Sequence, residues 1–173
     1  ERGRIVIFNR SYYEEVVIVR VHRELLESEG TAPEHDLWRE RFEDINAFER
    51  HLVRNGTQIL KFFLHISKDE QKKRLLKRLN DPDKNWKFSP NDVRERQYWE
   101  SYQFAYERAL EATSTEHAPW YVIPADHKWF MRTAIADVIV AKLESLGLAY
   151  PHLKDEAAAT LAQVRDQLND ESP

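Results

Sequence analysis

Cysteine is absent from the 173 residues, glycine occurs four times and methionine once. Without cysteine there is neither a disulfide framework nor a thiolate metal site. That usage fits a reducing compartment, and the expected location is cytoplasmic. Four glycines are too few for the closely spaced turns of a β-sandwich. Gly3, Gly30, Gly56 and Gly147 lie far apart and none precedes lysine, so no G-x4-G-K-[ST] phosphate loop is present in these residues. No apolar run reaches the ~18 residues that span a bilayer, which argues against a membrane partner. Nor is there an excess of positive charge. The net charge is −4, so any anionic partner must be held by a local patch, and a nucleic-acid partner is not expected.

What is present describes a helix-rich α/β domain. Hydrophobic residues make up 42% and charged residues 32%, enough for a core with a solvated exterior. Residues 4–8 (RIVIF) read as a short strand apolar on both faces, as in a parallel sheet covered by helices. Residues 11–22 combine a Val-Val-Ile-Val run with Ser11 as a cap and Glu14 and Glu15 in a first turn, which favours a helix. Residues 22–35, holding Gly30 and Pro33, read as a loop. Apolar residues at 38, 42, 45, 48 and 52 mark one face of a helix over 37–53, stopped by Gly56.

Residues 58–66 (QILKFFLHI) read as a second buried strand. Ser67 and Glu70 then predict a capping box and a helix to about Leu79. A polar loop over 80–91 ends at Ser89-Pro90, the start of a helix to about Thr113. Residues 120–123 predict a third strand, 126–147 a helix, and 154–169 a peripheral helix after Pro151. Strands alternating with helices predict a mainly parallel α/β sheet. The domain is expected over 1–150, with 151–173 as a tail.

Two groups of residues carry chemistry. In parallel sheets, ligands sit beyond the carboxyl ends of the strands. Asn9, Arg10 and Ser11 follow the first strand directly and so fall at such a crevice, although Asn9 and Ser11 would equally serve to cap the next helix. Residues 68–96 form the second group, with ten basic residues against six acidic ones. Arg74 and Arg78, four apart, share a helical face, and Lys84 and Lys87 follow on the loop. Such an array suits a row of phosphates, while a solvated face with intrahelical ion pairs is the plain alternative. Trp86 and Phe88 interleave with lysines as in stacking platforms, on a patch too small for a nucleic-acid surface. The seven histidines show no metal-ligand spacing. Trp99, Tyr102 and Tyr106 fall at helical spacing and read as core.

Taken in order, IFNRSYYEE, FER-x-L-x3-G-x3-LKFFLHIS, EQKKRLLKRLNDPDKNWKFSPND, YWESYQFAYERAL and T-x4-APWYVIPADHKWF resemble the carboxyl-terminal part of the family-2 polyphosphate kinases, over about Arg4 to Leu146. The resemblance implies a P-loop-kinase-like fold and phosphoryl transfer between inorganic polyphosphate and a nucleoside mono- or diphosphate, with Mg²⁺. It places the first strand as the Walker B strand, whose familiar pattern is Phe-Asp-Arg-Ser. Asn9 stands where that pattern has the aspartate, and a neutral amide would serve Mg²⁺ through water.

Arg10 is implied at the transferred phosphate. Glu14 sits where many members have asparagine, as in the branch that accepts both mono- and diphosphates. Residues 68–96 are implied as a lid, with Arg74, Arg78, Lys84 and Lys87 along the polyphosphate and Asp92 as a metal or lid partner. By the same analogy a homo-oligomer is expected. The family's Walker A loop precedes this strand, so the sequence is expected to be the downstream part of a longer chain, inactive alone, with residues 4–8 lacking their usual neighbour. An ATP-dependent nucleotide kinase and a non-catalytic anion-binding module are the competing readings.

Overall fold

The computed structural model describes residues 3–28, 36–150 and 155–170. The chain divides into two units, 1–136 and 137–173. The first contains α1 (Glu14–Val21), α2 (Glu24–Ser28), α3 (Leu37–Arg54), β1 (Lys61–His65), α4 (Lys68–Leu79), α5 (Pro90–Glu95), α6 (Trp99–Thr113) and β2 (Trp120–Pro124). Helix α7 (Lys128–Ser145) begins in the first unit and ends in the second, which also holds α8 (Asp155–Asp170). Part of the expected 22–35 loop forms α2, and residues 29–35 lie outside those described. Pro151 also lies outside them.

The sheet is α/β in character but smaller than expected. Two parallel strands pair from Lys61 opposite Trp120 to His65 opposite Pro124. Residues 4–8 correct the sequence reading. They carry no strand ladder among the described residues. Nor are they buried: Ile5, Val6, Ile7 and Phe8 are 76%, 67%, 86% and 76% exposed. A strand is a pairing, and an apolar run without a hydrogen-bonded neighbour stays a run.

The core forms where α1 packs between α3 and α6. Tyr13, Val16 and Val17 meet Phe42 and Ile45 of α3, with Ala105 and Ala109 of α6 completing the cluster. The two alanines, one helical turn apart, remove the side-chain bulk that would hold α1 away from α6. Val16 is wholly buried, and burial of a valine contributes on the order of 1.5–3 kcal/mol. Arg20 closes one end of this packing, its guanidinium 5.3 Å from the Trp38 ring centre and 5.2 Å from that of Phe104. Helix α3 stops at Gly56, whose φ of 91° suits glycine. There the Gly56 and Thr57 amides donate to Val53 and Leu52 carbonyls.

The expected helix over 90–113 is split. Helix α5 ends at Glu95, residues 96–98 make a 3₁₀ turn, and α6 starts at Trp99. At the break, Arg96 Nη1 donates back to the Lys68 carbonyl (3.1 Å) and to Gln71 Oε1, fastening the turn to the base of α4.

Candidate functional site

Both strands end on the same side of the sheet, and polar links gather there. The Ala125 amide donates to the His65 carbonyl (2.8 Å), and the Ser67 amide donates to Asp126 Oδ1 (2.8 Å). That bond holds the Asp126 carboxyl below its ordinary range. Ser67 also caps α4, its hydroxyl accepting from the Glu70 amide (3.1 Å). The Glu70 side chain makes no reciprocal bond among those resolved and turns instead to Arg74 Nε at 2.9 Å, which depresses its carboxyl.

A cavity of about 300 Å³ opens beside these ends, lined by Phe63 of β1, Ile66 just after it, Gln71 of α4, Glu95 at the end of α5, Arg96 next to it, and Tyr102 and Tyr106 of α6. A second of similar volume adjoins it, lined by Arg74, Arg78, Asp92, Gln71 and Glu95. Gln71 and Glu95 belong to both walls. Aromatic faces in the first and guanidinium groups in the second make a pair of surfaces for a flat group and an anion.

Of the sequence-selected residues, Arg74, Arg78 and Asp92 line the second cavity, and Asn9, Arg10, Glu14, Lys84 and Lys87 line neither. Arg10 and Glu14 form an ion pair one helical turn apart. Their charges act on Tyr106, whose hydroxyl is pushed up mainly by burial, then by Glu14, with Arg10 opposing. Arg10 acts on Tyr102 in the same sense. Arg10 and Glu14 line neither cavity, and the Arg10 side chain is largely exposed. Arg10 has φ 79°, the one positive value at a non-glycine among the described residues. Asn9 precedes it, exposed, in a bend.

Arg74 and Arg78 both line the second cavity, but differently. Arg74 Nη2 donates to the carbonyls of Ala125 (2.7 Å) and Asp126 (3.0 Å), so much of its guanidinium ties α4 to the end of β2. Arg78 is half-exposed and lies 3.6 Å from Asp92. Lys84 pairs with Asp81 and Lys87 stacks over Trp86 at 4.9 Å. Neither lysine lines the two cavities.

Asp92 completes a capping box at the start of α5, with its carboxylate reached by the Ser89 amide. With Arg78 also at that carboxylate, Asp92 is poorly suited to a metal. No group of three or more acidic or histidine side chains with metal-holding geometry occurs among the described residues.

Three residues at the site were not read from the sequence as site residues, Tyr102 being read as core, where it does pack in part. His22, just past α1, sets Nε2 2.9 Å from Glu95 Oε2 and Nδ1 3.0 Å from Glu24 Oε1. Tyr102 donates to the same Glu95 oxygen at 2.8 Å. Glu95, central to both cavities, is held below its ordinary range chiefly by His22, and His22 is raised chiefly by Glu95. Nothing in the local sequence signals a pair 73 residues apart.

Comparison with known proteins gives the family. The family model described as Polyphosphate kinase 2 (PPK2) matches residues 1–148. An ADP-polyphosphate phosphotransferase of Rhodopseudomonas palustris is 51% identical over 172 residues, covering 97% of this chain and 60% of that protein. An AMP/ADP-polyphosphate phosphotransferase of Meiothermus ruber is 49% identical over 150 residues, covering 87% and 53%. The crystal structure of Polyphosphate Kinase 2 from Arthrobacter aurescens TC1 superposes with a TM-score of 0.81 at 45% identity, covering 92% of this chain and 53% of that one. The chain thus spans between half and two thirds of the length of these relatives. With the family model matching residues 1–148 and relatives at about half identity over most of the chain, the chain belongs to the polyphosphate kinase 2 family.

Proposed function

We propose that this chain supplies the lid and the Walker B side of a phosphotransferase that moves a phosphoryl group between inorganic polyphosphate and a nucleoside mono- or diphosphate. The observation that carries the reading is the guanidinium-lined cavity adjoining an aromatic one at the carboxyl edge of β1 and β2. The names of the relatives, which pair ADP and AMP/ADP with polyphosphate, support the substrate class.

Phosphoryl transfer asks little covalent chemistry of a protein. It needs donor and acceptor held in line, charge on the oxygens neutralised and water excluded. Arg10 supplies one cation at the elbow and Arg78 another on the lid, with Lys84 and Lys87 further along. Arg74 shapes the cavity by fixing α4 against Ala125 and Asp126. Glu14 holds the Arg10 guanidinium until phosphate displaces it. Mg²⁺, when bound with the phosphates, would neutralise their oxygens, and the Asn9 amide would help to hold its water shell. A cytoplasmic homo-oligomer is part of the same reading. No helix among the described residues is long and apolar enough to cross a membrane.

Because the 173 residues contain no G-x4-G-K-[ST] loop, turnover requires that loop from elsewhere. The purified chain should bind tripolyphosphate with steep salt dependence and form no ATP from ADP. Fusing a segment that carries the loop upstream of Arg4 should restore ATP formation that depends on long polyphosphate. ATP formation by the chain alone would contradict the need for the loop. Binding retained without turnover after fusion would leave an anion-binding module in place of an enzyme.

A further inference from the structure

Arg10 sits in a left-handed backbone conformation that a side chain with a Cβ disfavours, so neighbouring structure must hold it there. The two tyrosines just beyond it are tied down at their hydroxyls. Tyr12 and Tyr13 both donate to Glu49 Oε1 on α3, each at 2.8 Å. The other carboxylate oxygen accepts from Lys61 Nζ at 2.6 Å. Lys61 Nζ donates further to the Tyr13 hydroxyl (2.9 Å) and to the Thr113 carbonyl at the end of α6 (2.8 Å). Glu49 is wholly buried and Lys61 is 6% exposed. The Trp120 indole donates to Thr113 Oγ1 (2.9 Å), which closes the shell. Burial pushes the Lys61 ammonium down, with Glu49 opposing. It also pushes both tyrosines up, so their hydroxyls stay protonated and donate.

A buried ion pair is a poor way to gain stability, since desolvation consumes most of its Coulomb energy. Its retention calls for a structural purpose, and here that purpose is legible. One carboxylate grips two consecutive side chains, two and three residues after Arg10, while its counter-charge is rooted in the first residue of β1. The first turn of α1 is fixed to the sheet and to α3 at the point where the elbow begins. We infer that Glu49, with Lys61 behind it and Tyr12 and Tyr13 as its two arms, is a positioning residue that holds Arg10 in place just before α1. What Arg10 contacts there rests on the phosphotransferase reading. How it is held does not.

Tyr12 is partly exposed, so Tyr12→Phe cuts one arm without opening the core, and Glu49→Gln tests the centre. By calorimetry with tripolyphosphate on the 173-residue chain, Arg10→Ala should weaken binding. Tyr12→Phe and Glu49→Gln should each weaken it about tenfold when Arg10 is present, the cost of one hydrogen bond to a charged group, and have no effect in the Arg10→Ala background. Equal losses in both backgrounds, or none in either with the melting temperature kept, overturn the inference.

If the unsubstituted chain does not bind tripolyphosphate, the polyphosphate reading fails and amide exchange decides the positioning. The Glu14 and Glu15 amides donate to the Ser11 and Tyr12 carbonyls. In Tyr12→Phe they should exchange about tenfold faster, while amides of α6 keep their rates. Unchanged rates at Glu14 and Glu15 overturn it.

Discussion

His22 shows how a single residue at the site responds to its surroundings. Its ring lies between two carboxylates on different elements, Glu24 on α2 and Glu95 on α5, with the Tyr98 ring 5.0 Å and the Tyr102 ring 6.2 Å away. The hydrogen bond to Glu95 is the main reason its pKa is raised, and burial works against it. A group raised in the folded state stabilises that state most below its unfolded pKa, about 6.5 for histidine. The contribution is lost as pH rises through the higher folded value. Glu95 and Glu24 are lowered, so their contributions are present above about pH 4.5 and lost as pH falls through their depressed values. The stability advantage of the unsubstituted chain over His22→Asn should therefore be larger at pH 5.5 than at pH 8.5, as read by urea denaturation at each pH. An equal difference at both would show that the imidazolium makes no such contact.

Among the elements, α4 carries both arginines of the second cavity, and its start is fixed by Ser67. Ser67 serves it twice, with its hydroxyl accepting from the Glu70 amide and its own amide donating to Asp126. Ser67→Ala removes only the first bond. It should cost about 1 kcal/mol, the usual value of an N-cap, seen as a lower urea midpoint with unchanged slope. The serine was legible in advance from the Ser-x-x-Glu spacing. The missing half of the box was not, because Glu70 finds a better partner one turn on, the charged Arg74 at 2.9 Å. Residues 4–8 make the opposite case. Their composition predicts a strand, but sheet membership depends on what lies alongside.

At the scale of the whole molecule, the Lys61 and Glu49 pair joins α1, α3, β1 and the end of α6 through a handful of short bonds. Lys61→Met would leave the Glu49 carboxylate buried without its counter-charge. The expected loss is about 3–5 kcal/mol, a large share of the few kcal/mol by which a domain is stable. Adding Glu49→Gln to Lys61→Met should recover part of it, since no buried charge then remains. Thermal denaturation of the three variants checks the order. Recovery of stability in that double variant without recovery of Arg10-dependent tripolyphosphate binding would separate the packing contribution of the pair from its positioning one.

Local chemistry was readable from the residues alone. The 3.6-residue spacing of Trp38, Phe42 and Ile45 marked α3, and Ser67, Ser89-Pro90 and Gly56 marked where helices start and stop. The order of apolar runs marked the α/β class, and IFNRSYYEE with the basic stretch marked the family. The caps and spacings lie within a few residues, where backbone geometry acts, and the order of the runs is written along the chain itself. Tertiary structure decided the rest. It turned Arg74 toward two carbonyls, closed His22 onto Glu95 across 73 residues, buried Glu49 against Lys61, and left Ile5 to Phe8 without a ladder. Those outcomes depend on distances between segments remote in sequence. Burial, pKa and pairing are properties of a charge's surroundings, and those surroundings exist only once the chain has folded.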